Sequence, residues 1–385
     1  MKREAQENIQ LLRVGQRTIC PELYVLPKNA KIVHDEFVEN MVSADWGFIL
    51  VRGENGAGKS VYMRYLEHIA NDNDLAISHI EIDPKLVKQY GPASYFTLQM
   101  LENVRLPDGE MMLYKMSRDV EFRRKLHGII EKHYADFDYY NPALTQALLL
   151  ATDDTEAQKE LRKLAVSWLK GEPKYVAELK QMEILDRSMK SVLNVPTNKM
   201  LYLIKDLLQH TGPKGLLVSV DEIEKAGELP YMRGRETLSL MRDLINILTS
   251  EDSLPIRRGA MKGLFICYAI STFYLGYSGV IEVEGVDFRA QADQYGKPNV
   301  TIQEVPRLST MLRESGSLVS ADFSDLDDLE KIAEKIIKCY AHAKKQSISL
   351  DPHDLATEAF GRTNEYLARS NVMTMVKHLD RSFSG

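Results

Sequence analysis

An α/β fold with a parallel central sheet is predicted by three features of the 385-residue sequence. The apolar run Gly47-Phe48-Ile49-Leu50-Val51 leads through a glycine-rich turn into a segment of helical period. A second run, Gly215-Leu216-Leu217-Val218-Ser219-Val220, ends in Asp221-Glu222. A third, from Gly263 to Ile270, ends in Ser271-Thr272. Continuously apolar strands are buried on both faces, as a parallel sheet covered by helices requires.

The glycine-rich turn carries the chemistry. Gly53-Glu54-Asn55-Gly56-Ala57-Gly58-Lys59-Ser60 fits G-x4-G-K-[ST] between a strand and a helix, the context of a phosphate-binding P-loop. Glycines let the backbone wrap an anion, so that several N–H groups and the positive helix end converge on it. The expected nucleotide-binding residues are Gly53, Glu54, Asn55, Gly56, Ala57, Gly58, Lys59, Ser60 and Val61. Lys59 is expected on the outer phosphates and the Ser60 hydroxyl on Mg²⁺. The carboxylates ending the second run face the crevice where such sheets bind ligands. Asp221 is expected to share the Mg²⁺ with Ser60, and Glu222 to orient and deprotonate an attacking water. ATP and Mg²⁺ are therefore the expected cofactors, with Glu222, Asp221 and Lys59 as the catalytic group. Glu224 reads as a surface charge. Ser271 and Thr272 end a central strand where a hydroxyl can contact the γ-phosphate. Arg307 and Arg313 are candidates to reach a neighbouring subunit's nucleotide, where an arginine neutralises transition-state charge.

In chain order, residues 1–46 lead in, with a short helix around Ile9, Leu11 and Leu12 and an amphipathic segment over 31–42. Residues 47–89 and 196–315 form the ATPase core. After the P-loop helix, 76–83 alternates in polarity and predicts an edge strand. Residues 90–195 form a large helical insertion, with helices at 117–135, 142–151, 155–170 and 174–193. Tyr134, Tyr139 and Tyr140 within it read as core aromatics. Helix 198–210 returns the chain to the sheet, and helix 236–249 follows the second run. Residues 274–300 read as loop with a short β-pair, Val280–Glu284 being one arm. Residues 316–385 form a C-terminal helical lid with helices 325–343 and 363–380.

A net charge of −6 excludes a chain that coats nucleic acid by charge alone. Local clusters remain, at Arg118, Arg123, Arg124 and Lys125 and at Arg257, Arg258 and Lys262, enough for weak, salt-sensitive DNA contact. Three scattered cysteines match no zinc spacing, and no apolar run reaches eighteen residues. A cytoplasmic protein outside the membrane is expected. A GTPase would carry Asn-Lys-x-Asp, but Asn198-Lys199-Met200-Leu201 lacks the Asp. No Leu-Ser-Gly-Gly precedes Asp221, as it would in a transporter ATPase. An additional-strand (AAA+) or STAND-like ATPase remains.

Ile9-Gln-Leu-Leu-Arg13-Val-Gly15, then Val51 to Ser60, then Leu216 to Glu222, together resemble the ATP-binding proteins of bacteriophage-exclusion (BREX) defence islands. The resemblance implies an AAA+-like P-loop fold related to origin-binding and loader ATPases, often encoded beside a helicase-like protein. It also implies a DNA-directed defence complex of ATP-hydrolysing subunits, formed as a homo-oligomer with other defence proteins. Lys59 and Ser60 would bind phosphate and Mg²⁺, and Asp221 and Glu222 would support hydrolysis. The lid of such proteins presents an arginine near Gly-x-x-Arg; here Gly361-Arg362-Thr-Asn-Glu365 holds Arg362 out of that register.

Overall fold

The computed structural model describes residues 2–13, 23–171, 197–249, 262–314, 317–321, 325–345, 347–363 and 368–382. Six strands form one sheet: β1 (Gly47–Gly53), β2 (Leu75–Glu81), β3 (Val104–Arg105), β4 (Gly215–Asp221), β5 (Leu264–Ser271) and β6 (Leu318–Ser320). Their order is β3-β2-β4-β5-β1-β6. All pairs are parallel except β2 with β3. The predicted edge strand is instead one place inside the edge, and nearly all of β2 is buried. Its alternation reflects two differently packed faces, and the true edge is the two-residue β3. The third strand of the prediction, β5, lies between β1 and β4. The sheet also takes residues 318–320, beyond the predicted end of the core at 315, because β6 pairs with β1 through Leu50, Val51 and Arg52.

Side chains alternate across the sheet with period two. Phe48, Leu50, Val218, Ile266 and Tyr268 belong to the core on one face, and Ile49, Val51, Leu217, Cys267 and Ala269 to the core on the other. The second face is covered by α2 (Lys31–Ser43) and by α3 (Lys59–Asp72), the helix that the glycine-rich turn opens.

The first face is covered by helices from the predicted insertion and from its return. These are α4 (Pro84–Tyr90), α5 (Pro92–Glu102), α6 (Met112–Arg118), α7 (Val120–Lys132), α8 (Tyr134–Tyr140), α9 (Pro142–Thr152), α10 (Lys159–Leu169), α11 (Thr197–Thr211) and α12 (Tyr231–Thr249). The predicted helix 117–135 is three helices, because Asp119 caps a new one by accepting from the Phe122 N–H at 3.0 Å. The predicted helix 174–193 lies outside the described residues. Tyr95, Phe96, Leu126, Leu144 and Trp168 share one continuous core with the sheet. The described part of the segment is thus not a detachable add-on. Tyr134 and Tyr139 are exposed, contrary to the core reading, since α8 turns only Phe137 inward. No side chain of Tyr140 is described.

The chain then forms α13 (Thr272–Tyr277), α14 (Ala292–Tyr295) and α15 (Leu308–Glu314). The expected β-arm at 280–284 is turn and coil. Its apolar Val280 is instead pinned from outside, where Arg313 donates to the carbonyls of Gly279 (2.7 Å) and Val280 (3.3 Å).

A separate core holds the C-terminal helices α16 (Leu326–Lys344), α17 (Pro352–Thr363) and α18 (Ala368–Ser382) together with α1 (Lys2–Arg13). The predicted helix 363–380 starts later, and α17 was not foreseen. Ala5, Ile9 and Leu12 on α1 supply its apolar stripe. Arg13 clamps it: Nε donates to Asp380 Oδ2 at 2.7 Å and Nη2 to Oδ1 at 2.5 Å, and the Tyr340 hydroxyl joins the same carboxylate. The Arg13 bond holds the Asp380 carboxyl below its usual range. A depressed carboxyl stabilises the fold above its unfolded pKa, and that contribution is lost as pH falls through the folded value. With both side chains about a third exposed, solvent screening leaves the pair about 1 kcal/mol. Arg13→Ala should cost about that much at pH 7, and the difference from wild type should close below about pH 4. Urea unfolding at both pH values checks this; an equal cost in acid would mean the pair is not its source.

A candidate nucleotide site at the sheet crest

The C-terminal ends of four adjacent strands set the site. Gly53 of β1 pairs in register with Ser271 of β5, and Asp221 of β4 with Glu81 of β2. By the alternation, these residues lie on the face that α3 covers. The turn after β1 needs its glycines: Gly56 and Gly58 have φ of 92° and 107°, the left-handed region. Lys59 is buried across the turn, with Nζ donating to the carbonyls of Gly53 (2.8 Å) and Glu54 (3.3 Å). Ser60 opens α3, and its Oγ donates to Asp221 Oδ2 at 2.6 Å. Asp221 is fully buried, and its Oδ1 accepts from the N–H of Glu222 at 2.8 Å. The structure therefore brings Lys59, Ser60 and Asp221 together, although 161 positions separate the serine from the aspartate.

Glu222 sits differently. It has φ of 59°, so the backbone turns sharply out of β4 into a 3₁₀ turn, Ile223–Glu228. Its carboxylate is ion-paired with Lys225, whose Nζ also approaches Glu81 Oε1 at 3.8 Å. Glu224 is not a surface charge. It is half-buried, and its Oε2 accepts from the Ser271 N–H at 3.2 Å. Burial pushes its carboxyl above the usual range, while the Lys59 charge pulls the other way. Ser271 uses its hydroxyl to cap α13, accepting from the Tyr274 N–H at 3.2 Å. Thr272 is buried beside it.

A cavity of about 480 Å³ runs from the P-loop to the C-terminal helices. One end is polar, with Lys59, Ser60, Asp221, Glu222 and Glu224 in its wall. The other is apolar, with Leu12, Tyr24, Val25, Ile332, Ile336 and Val372. The volume lies within the range of sites that hold drug-sized ligands, and this division suits a molecule with phosphates at one end and an aromatic base at the other. The apolar end gives Leu12-Arg13 its physical meaning: Leu12 lines the cavity while Arg13 fastens the helix behind it. Oxygen donors alone, Ser60 Oγ and the buried Asp221 carboxylate, suit a hard cation such as Mg²⁺. Among the described residues no group of three or more His, Cys, Asp or Glu is placed to hold a metal. That fits a cation held by one or two protein oxygens and by phosphates.

The arginines are redistributed. Arg362 pairs with Glu358 on its own helix. Arg369, in the first turn of α18, lies at the P-loop instead: its N–H donates to the Gly56 carbonyl at 3.0 Å, and its side chain lies over Gly56. The sequence held one signal for it, an arginine seven positions after Arg362 at the start of the final amphipathic stretch. Arg313 is taken by carbonyls, and Arg307 is exposed with a left-handed backbone. The basic cluster at 118–125 is engaged within the fold. Arg118 pairs with Glu110, Arg123 and Arg124 with Asp154, and Lys125 donates to the Thr211 carbonyl at 2.6 Å. Arg257 and Arg258 lie outside the described residues.

No curated protein matches the chain. The family described as BREX system ATP-binding protein BrxC/D matches residues 110–381, which include β4, Asp221, Glu222, Glu224 and the C-terminal helices. The match begins after the P-loop, so the two sources of evidence are separate: the motif and its geometry at residues 53–60, and the family over most of the remainder. They agree, and this chain belongs to the BREX system ATP-binding protein BrxC/D family.

Proposed function

We propose that the chain binds Mg-ATP at the P-loop and hydrolyses it, as a motor or loader subunit of a DNA-directed phage-defence complex. The convergence of Lys59, Ser60 and Asp221 at the crest of a parallel sheet carries this reading. Placement of β5 between the P-loop strand and the Asp221 strand supports an additional-strand P-loop NTPase of AAA+-like type. In that fold 316–385 would act as the lid, and 47–89 with 196–315 as the core. Lys59 and the loop N–H groups would hold the phosphates, and Ser60 with Asp221 the Mg²⁺. When bound, that ion neutralises charge developing on the phosphates. Asp221 orients the Ser60 hydroxyl, and the carboxylates after β4 position water and take its proton.

A second reading has its own support. Glu222 is held by Lys225, and the lid is tied to the loop through Arg369. Both suit a slow, nucleotide-gated switch or scaffold that assembles with partner proteins without acting on DNA itself. ATP turnover with and without DNA, together with the mass of the protein in ATP and ADP, separates the two. Rapid DNA-stimulated turnover supports the motor; slow turnover with ATP-dependent homo-oligomers supports the switch. With the cluster at 118–125 engaged in the fold, DNA should bind weakly without nucleotide and more tightly in an assembled ATP state. Added salt should erode it steeply. No helix among the described residues is long and apolar enough to cross a membrane; we place the complex in the cytoplasm.

A further inference from the structure

The Asp-Glu pattern points to Glu222 as the base, but the structure points two residues further on. We propose that Glu224 is the carboxylate that accepts the proton of the attacking water, and that Glu222 serves the Lys225 ion pair. This inference rests on the hydrolytic reading above.

Three observations carry it. First, the left-handed turn at Glu222 sends its carboxylate to Lys225, on the side of Glu81 and β2. That is the flank of β4 away from the P-loop strand. To act as base, Glu222 would first have to leave a cation that neutralises it. Second, the 3₁₀ turn brings Glu224 back to the opposite flank. There Ser271, at the end of β5 and in register with Gly53, donates its N–H to one carboxylate oxygen. β5 lies beside β1, so this anchor fixes Glu224 on the P-loop side, in the wall of the cavity that Lys59 and Ser60 also line. Third, Glu224 is withdrawn from water, and burial raises its proton affinity, which strengthens a base.

The step balances simply. The water oxygen attacks the γ-phosphorus while its proton passes to Glu224. The bond from the γ-phosphorus to the β–γ bridging oxygen breaks, and its electron pair leaves with ADP.

The test compares the full-length chain with Glu224→Gln and Glu222→Gln. Steady-state turnover is read alongside binding of a fluorescent ATP analogue and the identity of nucleotide retained after one incubation with ATP. Glu224→Gln should bind the analogue within a few-fold of wild type, retain ATP rather than ADP, and turn over about 10² to 10⁴ times more slowly. Glu222→Gln should lose no more than about tenfold, since it removes a group that does not take the proton. Because Glu224 also braces β5, Glu224→Ala is assayed with added formate. A small carboxylate restoring turnover marks a missing base, which a merely structural role would not produce. A hundredfold loss in Glu222→Gln, near-normal turnover in Glu224→Gln, or no formate rescue overturns the inference. A wild-type protein that binds ATP but never cleaves it sinks the hydrolytic reading itself.

Discussion

Lys59→Ala is expected to remove tight ATP binding, weakening it at least about a hundredfold, or about 2.7 kcal/mol. Lys59 is buried at the loop mouth, where its ammonium now bridges the carbonyls of Gly53 and Glu54. No other residue of 53–61 is cationic. The outer phosphates would therefore lose their single point charge, and the loop N–H groups cannot replace it. Loop geometry depends on the same ammonium, so calorimetric titration with ATP is paired with a thermal melt to show that the fold persists. Affinity within fivefold of wild type in a folded Lys59→Ala protein would mean that ATP does not enter through this loop.

Asp221→Asn is expected to act on the cation rather than on the nucleotide. The carboxylate is fully buried and accepts from both the Ser60 hydroxyl and the Glu222 N–H. An amide keeps the shape, but it replaces one acceptor oxygen with a donor and removes the negative charge that suits a hard cation. Turnover should fall by about 10² or more, and the Mg²⁺ concentration for half-maximal turnover should rise. ATP binding measured in chelator should change little. A Mg²⁺ titration with an unshifted midpoint would take Asp221 out of the metal's shell.

Legibility in the sequence followed how local each determinant is. The P-loop was readable because glycine φ requirements, lysine and serine are all specified within eight residues. Strands β1, β4 and β5 were readable because burial on two faces leaves an unbroken apolar run. β2 misled because Ser78 and His79 interrupt it, yet Ser78 is bonded inside the core to the Met100 carbonyl at 3.1 Å and His79 to Glu67 at 2.6 Å. Polarity at a strand position meant partners, not solvent. β3 and β6 span two and three residues, too short for any period to show. Glu224 and Arg369 were missed because their roles arise from tertiary placement: an N–H on β5 for one, a carbonyl of the P-loop for the other. Likewise, the cluster at 118–125 looked like a surface for phosphates until its partners Glu110 and Asp154 came into place.

The union of α1 with α16 and α18 bears on how the protein is made. Ala5, Ile9 and Leu12 leave the ribosome before any of the helices that bury them, and Arg13 waits for Asp380, 367 positions later. At ordinary synthesis rates that interval is on the order of tens of seconds. Throughout it an amphipathic helix has no native partner, while the sheet and its covering helices can already assemble. The apolar end of the nucleotide cavity, which needs Leu12 from one arm and Ile332, Ile336 and Val372 from the other, is therefore among the last features to form. A nascent chain would hold its phosphate loop well before it could enclose a base, and a chaperone that shields short amphipathic helices would find its substrate in α1.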